Sequence, residues 1–442
     1  MSAHANPNIV EDNLAFMYDT TNSKSYAGEP TINYIHSQNA VAKDSYSAYS
    51  ATSSGTYNAK HPDAIIAYNA AGTQLSNYYN SGVTDATNTY HAHWQYDSIL
   101  KKPVVVMNDI IGSQWKAKWM GTGLGSWNSQ GKSHGDTYTI SWLQWVDHLS
   151  KNAKAGLYTK NTSGSNGFHD GQANSASSYN TILRTWQRVH QTYTTNSVRD
   201  LSQTLASIYM YGHYNVRATV KVADVQFTWG SHPAQFSATY ERTATEGLLD
   251  RTNNSTINLS NVSFDSDAQI TLDGTDDYID LGSDVSISPD NQGWTTEYWF
   301  NTNSAGTLQH FNSAENDEFN ANWLAIYNSK LAVWNRSPGY WKYGDTIIQS
   351  NTWYQAVFIC DSGGTNMRFY INGEAEGGTH VGNVWTASYS SLDVRYIGKY
   401  EFAGGHSRYF NGEINAVKIY DKALTADEVL QNFNATRSRF GL

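Results

Sequence analysis

Apolar and polar residues alternate with a period of two along most of this chain, and Gly, Asn, Asp and Ser interrupt the alternation every few residues. That pattern predicts short strands of a sandwich or barrel, where successive side chains point to opposite faces. In the first half the clearest predicted strands run over 104–107, 137–146, 155–158, 206–211 and 216–227. Along the last of these, Val216, Ala218, Val220 and Val222 share a face while Val225 and Phe227 have the opposite parity. A β-bulge around Ala223-Asp224 is expected to return both sets to the core. In the second half Ile270 and Leu272 alternate into a tight Asp273-to-Asp277 hairpin connection, with Ile279 and Leu281 after it. Met367, Phe369 and Ile371 lead into Asn372-Gly373, a dipeptide that tolerates the positive φ of a type I′ turn. One segment reads as a helix, 424–433: Thr425 is a ready N-cap, Glu428 completes a capping box, and Val429, Leu430 and Phe433 form an apolar face.

These elements divide 442 residues into two sandwiches of ordinary domain size. Residues 1–45 are polar and poor in β-branched runs and read as an extended arm. Its Leu14, Phe16, Met17, Tyr18 and Tyr26 are too many for a disordered tail and imply docking on a neighbour. The first sandwich spans 46–232, a linker interrupted by Gly and Pro spans 233–239, and the second sandwich spans 240–442. No internal repeat of fixed period occurs, which argues against a solenoid or propeller.

Composition narrows the function. Charged residues are 15% and aromatics 14%, so the surface is built from rings, amides and hydroxyls rather than salt bridges. The formal net charge of -10, without a Lys/Arg cluster, excludes nucleic acid as the expected partner. No run of about 18 apolar residues predicts membrane insertion, and the opening Met-Ser-Ala-His-Ala-Asn-Pro-Asn lacks the features of a signal peptide. A soluble, unexported protein is the expectation. The single cysteine, Cys360, sits in an apolar strand pattern and reads as core.

The succession Leu272-Asp-Gly-Thr-Asp-Asp-Tyr-Ile-Asp-Leu-Gly282, Glu297-Tyr-Trp-Phe300, Trp353-Tyr-Gln-Ala-Val-Phe358, Phe369-Tyr-Ile-Asn-Gly373 and Phe410-Asn-Gly-Glu-Ile-Asn-Ala-Val-Lys-Ile-Tyr420 resembles the concanavalin A-like lectin/glucanase (laminin-G-like) sandwich. Thr137-Tyr-Thr-Ile-Ser-Trp142 and Val222-Ala-Asp-Val-Gln-Phe227 resemble, more weakly, galactose-binding-like carbohydrate modules. The closing run Tyr420 to Leu442 and the opening Asn13 to Tyr26 are similar to the ends of structural proteins of tailed phages, particularly those infecting marine cyanobacteria. The fold these resemblances imply is all-β: two consecutive jelly-roll sandwiches, galactose-binding-like then concanavalin A-like, with an N-terminal arm and one short C-terminal helix.

Endoglucanases of the lectin-like fold carry Glu-x-Asp-x-x-Glu on one strand, and a retaining mechanism needs two carboxyls about 5–5.5 Å apart. The nearest match, Glu315-Asn-Asp317-Glu318-Phe-Asn320, has Asn320 at the third position, so no catalytic residue is assigned. Asp273, Asp276, Asp277 and Asp280 offer hard oxygen ligands for a structural calcium ion, or else build and solvate the turn. His91 and His93 share a strand face without a third zinc ligand nearby and read as a surface pair. Parity sends Tyr138, Ile140 and Trp142 to the core and Trp145 to the other face, where its ring is a candidate platform for a carbohydrate. Trp334, Tyr340, Trp341 and Tyr343 crowd the Pro/Gly-broken stretch 335–339, where rings stack on a sugar or a subunit, or pack their own loop.

Two function classes follow. The phage resemblance implies a non-enzymatic virion structural or appendage protein on a tail, fibre, neck or head surface, assembled in the host cytoplasm. Its implied partners are other virion proteins, copies of itself as a homotrimer, and host-surface polysaccharide. The alternative is a free carbohydrate-binding protein or carbohydrate-active enzyme on the same sandwiches, which the missing export signal disfavours.

Overall fold

The computed structural model describes residues 8–32, 92–108, 116–120, 126–147, 156–161, 182–195, 201–202, 205–211, 219–236, 241–264, 270–287, 292–306, 308–313, 323–335, 340–362, 366–377, 379–380, 392–402 and 406–442. The chain divides into two units, each of antiparallel sheets. Unit one comprises Met1–Pro30, Thr243–Phe264 and Gln269–Leu442, and unit two comprises Thr31–Arg242 with Asp265–Ala268.

Unit one is a sandwich. Its back sheet runs in the order Leu14–Asp19, Asn411–Tyr420, Trp294–Thr302, Trp353–Cys360, Met367–Ile371 and Glu374–Ala375, with Leu272–Asp273 also on Asn411–Tyr420. The front layer contains Gln309–His310, Trp323–Tyr327, Lys330–Asn335, Tyr340–Tyr343 and Thr379–His380 in that order. Beside it lies a three-stranded sheet of Ile279–Ile287, Leu392–Ile397 and Asn312–Ser313. Alternation supplies the core: Tyr298, Phe300, Phe358, Phe369, Ile414 and Val417 from the back meet Leu324, Ile326, Leu331, Val333 and Val394 from the front. Cys360 lies in this core, where burial pushes its thiol up to about 12 and leaves it inert at neutral pH.

The outer face of the back sheet is covered by the helix Ala426–Thr436, capped as its sequence predicts: Thr425 accepts from the Glu428 N–H, and Glu428 reaches back to the Thr425 N–H. Val429 and Phe433 are buried under it, and Leu430, 42% exposed, borders the Gly373 turn beside Phe433. Asn372 and Gly373, at φ 51° and 81°, make the expected type I′ turn. The missing Cβ of Gly373 leaves room for Phe433, which a Cβ would approach to 3.1 Å.

The expected arm and hairpin are corrected. Where it is described, the segment read as a docking arm is a strand of unit one: Leu14–Asp19 pairs with Asn411–Tyr420, and Phe16 and Tyr18 are fully buried in its core. The reason is alternation that a short strand hides among polar neighbours. Tyr18 Oη also donates to the Ile414 carbonyl at 3.0 Å. Unit two is therefore inserted between the first strand of unit one and the rest of it, rather than preceding it. The Asp273-to-Asp277 connection is not a hairpin either, because Leu272–Asp273 pairs with Asn411 and Gly412 while Ile279–Ile287 pairs with Leu392–Ile397. It carries the chain from one sheet to the other.

In unit two a five-stranded sheet runs Ala92–Asp97, Lys102–Asn108, Thr219–Trp229, Thr137–Val146, Gln187–Thr194. A three-stranded sheet runs Lys116–Met120, Leu205–Tyr211, Gly156–Asn161. The expected bulge lies between Ala223 and Gln226, with Asp224 at φ 51°, and Val222, Val225 and Phe227 are all fully buried. Trp127, Tyr138 and Phe227 stack at 4.8–5.6 Å, and Trp142 is buried as expected. Much of 233–239 is no free linker: Ala234 is buried, Gln226 donates to its carbonyl at 3.2 Å, and the Phe236 ring receives Lys102 and Arg188. The structural boundary falls after Arg242.

Phe16→Ala should lower the unfolding free energy of the chain by about 3–5 kcal/mol in urea titrations, as deletion of a core ring does. A loss below about 1 kcal/mol would mean that the first strand is not part of the core.

Candidate functional site

Antiparallel register decides which side chains of the front sheet share its outer face. Ala325 pairs with Ala332 and with His310, Ala332 pairs with Tyr343, and Trp334 pairs with Trp341. All have the parity opposite to Leu324, Ile326, Leu331 and Val333, which point into the core. Trp334 and Trp341 lie 5.2 Å apart, Trp341 and Tyr343 6.2 Å, and Tyr327 closes the group at 4.8 Å from Trp341. These rings are half-buried, yet the alanines between them are completely covered. Small residues at the centre of the face let large rings from three strands lean together.

Three of the predicted ring residues therefore meet, on strands rather than in a loop. Tyr340 stands opposite Asn335, at the parity of Lys342, and its side chain lies outside the described residues. Lys342 turns inward and donates to the Met367 carbonyl, and burial lowers its pKa despite Asp361. Tyr327 was not singled out from the sequence. Its signal was the alternation of Ala325 and Tyr327 against Leu324 and Ile326. Trp145 belongs to unit two and does not join the group: Lys221 Nζ sits 4.5 Å from its ring centroid and is itself paired with Asp97 at 3.1 Å. One face of that indole is thus occupied by an ammonium.

His310 continues the alanine row and is stacked on Tyr400 at 4.5 Å. It is fully buried, and burial, reinforced by the positive charge of Arg408, holds its imidazole down at about 3. The ring is neutral throughout the physiological range.

The acidic turn separates in the structure. Oxygens of Asp273, Asp276 and Asp277 lie within 4.8 Å of one another. Asp280 leaves the group and binds Arg395 at 2.7 Å. Asp273 Oδ1 accepts from the N–H groups of Thr275 and Asp276, at 2.7 and 3.2 Å. Asp277 is buried and accepts from the N–H groups of Ser263 and Asp273. These bonds hold Asp273 below the usual carboxylate range against its desolvation, while burial raises Asp277. Backbone donors account for much of the turn's shape, and the three converging oxygens also suit a hard cation. Glu315, Asp317, Glu318, Asn320 and His91 lie outside the described residues, as does the side chain of His93.

Residues 273–430 match the family model of the concanavalin A-like lectin/glucanases superfamily, so the expected lectin-like domain is present over that range. No curated protein matches the chain. Among solved structures, the CBM40 of a Ruminococcus gnavus IT-sialidase, bound to alpha2,3 sialyllactose, is 14% identical with TM-score 0.27, over 35% of this chain and 94% of that one. Domain 4 of AbnA, a GH43 extracellular arabinanase from Geobacillus stearothermophilus in complex with arabinotriose, is 20% identical with TM-score 0.28, over 43% and 92%. The heptameric SAP-like pentraxin of Limulus polyphemus is 17% identical with TM-score 0.26, over 36% and 78%. Likeness at that level carries no argument about what this chain binds.

Because His310 is depressed in the folded state, its contribution to stability is complete above about pH 6.5 and is lost as pH falls toward its folded value. His310→Phe should flatten the decline of stability between about pH 6.5 and 5, where one proton accounts for about 1.4 kcal/mol per pH unit. Parallel pH profiles of the two proteins in urea titrations would contradict the buried neutral imidazole.

Proposed function

We propose that this chain is a non-enzymatic, glycan-contacting surface protein of a tailed-phage virion. The observation that carries the glycan half is the outward ring group Tyr327, Trp334, Trp341 and Tyr343, gathered over two covered alanines within the lectin-like domain. Pyranose rings present flat C–H faces, and indole faces bind them by dispersion and desolvation without needing charge. The surface chemistry agrees: a chain with 15% charged residues has little else with which to recognise a neutral polymer. The virion half is supported by the similarity of both ends of the chain to tailed-phage structural proteins, which also makes other virion proteins and further copies of the chain its partners.

A structural calcium ion at Asp273, Asp276 and Asp277 fits the same reading, since it would fix the crossover between the sheets. Calcium added back after chelation should then raise the melting temperature by several degrees, following the ligand-linkage relation. An unchanged melting curve with millimolar-scale calcium would remove the ion from the proposal.

Trp341→Ala should weaken binding on a glycan array about tenfold or more, equivalent to about 1.4 kcal/mol of stacking. The particle arm is mass spectrometry of purified virions, in which the chain should be a stoichiometric component. Glycan binding that is indifferent to Trp341 defeats the platform. Absence from particles assigns the chain to free carbohydrate-binding proteins instead.

A further inference from the structure

The back sheet carries a second, closed aromatic group on the opposite side of the sandwich. Trp299 stands in register with Gln355, and Asn301 with Trp353, so two indoles and two amides form a checkerboard on the outer face of adjacent strands. Phe440 covers it, lying parallel to Trp299 at 4.3 Å and 9° and reaching Trp353 at 4.8 Å, beside Phe433 of the helix, which also stacks on Trp299 at 5.8 Å. The ring is satisfied by this arrangement, but the polar atoms are not. Gln355 is completely buried with neither Nε2 nor Oε1 hydrogen-bonded, and Trp299 Nε1 and Asn301 Oδ1 are likewise buried without partners. Such a concentration of unmet donors and acceptors is unusual, since buried polar groups are nearly always paired.

We infer that this block is a second binding subsite, for a neutral hexopyranose, which Phe440 keeps closed. A phenyl ring supplies the flat apolar face that Trp299 stacks on and leaves the amides without partners. A pyranose supplies that face together with edge hydroxyls able to donate to Gln355 Oε1 and Asn301 Oδ1 and to accept from Gln355 Nε2. Charge selects a neutral ligand. Glu297, next along the same face, is already paired with Lys418 at 2.5 Å, both 1% exposed, so the floor has no net charge to offer an anion. Apart from Phe440 the residues Arg437–Leu442 are exposed, and the segment is tied to the sandwich by Arg439, which pairs with the buried Asp19. The subsite does not depend on the front-face rings.

The test uses the full chain on an array of hexopyranose oligosaccharides. Phe440→Ala, which removes the occupant, should bind members of that array about tenfold more strongly than the unsubstituted chain, as release of a competing closed state predicts. Adding Gln355→Leu should abolish the gain, and Gln355→Leu alone should leave the melting temperature unchanged or raised, because a buried unpaired amide is lost. Adding Trp341→Ala should leave the gain intact, which separates this subsite from the front face. If Phe440→Ala folds poorly, Phe440→Leu serves in its place. Identical array profiles with and without the substitution overturn the inference, as does a gain that survives Gln355→Leu or disappears with Trp341→Ala. A fall in melting temperature for Gln355→Leu also overturns it, by making the amide structural. Self-association in place of glycan binding would assign the block to an aromatic side chain of another copy.

Discussion

A buried ion pair under the C-terminal helix organises unit one. Lys418 and Glu297 meet at 2.5 Å on adjacent strands, almost without solvent exposure, and such a pair is tolerable only when its remaining hydrogen-bonding capacity is met. Asn432 meets it: its Nδ2 donates to Glu297 Oε2 and to Tyr420 Oη, while its Oδ1 accepts from the Val10 N–H. Tyr420 Oη in turn donates to the Val10 carbonyl at 3.0 Å. One polar group thus joins the helix, two central strands and the segment preceding the first strand. Removing either charge would strand the other in an apolar setting, at a cost of about 3–5 kcal/mol. The helix is therefore a closing element of the sandwich, and the first strand is fastened at the same point.

That constraint separates the two outer faces. The back face is sealed by the helix and by Phe440, so its indoles are covered and its unpaired amides are hidden. The front face has rings of comparable number, half-buried and leaning on one another over alanine. Both outer faces of the sandwich are rich in aromatics, and the difference between them is what already lies on top.

Local signals in the sequence foretold what local physics determines. The capping box of Thr425 and Glu428, the Asn372-Gly373 turn and the bulge before Gln226 are each set within a few residues, and each is found. Long-range pairing was not legible. Nothing within residues 14–19 states that their partner lies some four hundred residues away, and an isolated strand with a polar surround looks like an arm. Likewise Asp280 was grouped with its neighbours in sequence, although Arg395, from a distant strand, takes it away. Parity did place the rings: Trp341 and Tyr343 share a face because they are two apart.

In this chain an aromatic residue is a weak sign of function, because rings serve both as core and as surface. With 15 Trp and 31 Tyr, type alone cannot distinguish Trp294, fully buried among apolar neighbours, from Trp341 on an outer face. The distinguishing property is what the neighbouring positions allow. Trp142 is fully buried with Val189 opposite, Trp145 faces a lysine across the register, and Trp341 faces Trp334, with Ala332 on the same face of that strand. Alanine at a sheet centre is a poor strand former and contributes little burial of its own, so its presence at Ala325 and Ala332 is explained by the rings it admits. The small residues, rather than the large ones, mark the face that is built to gather aromatic surface.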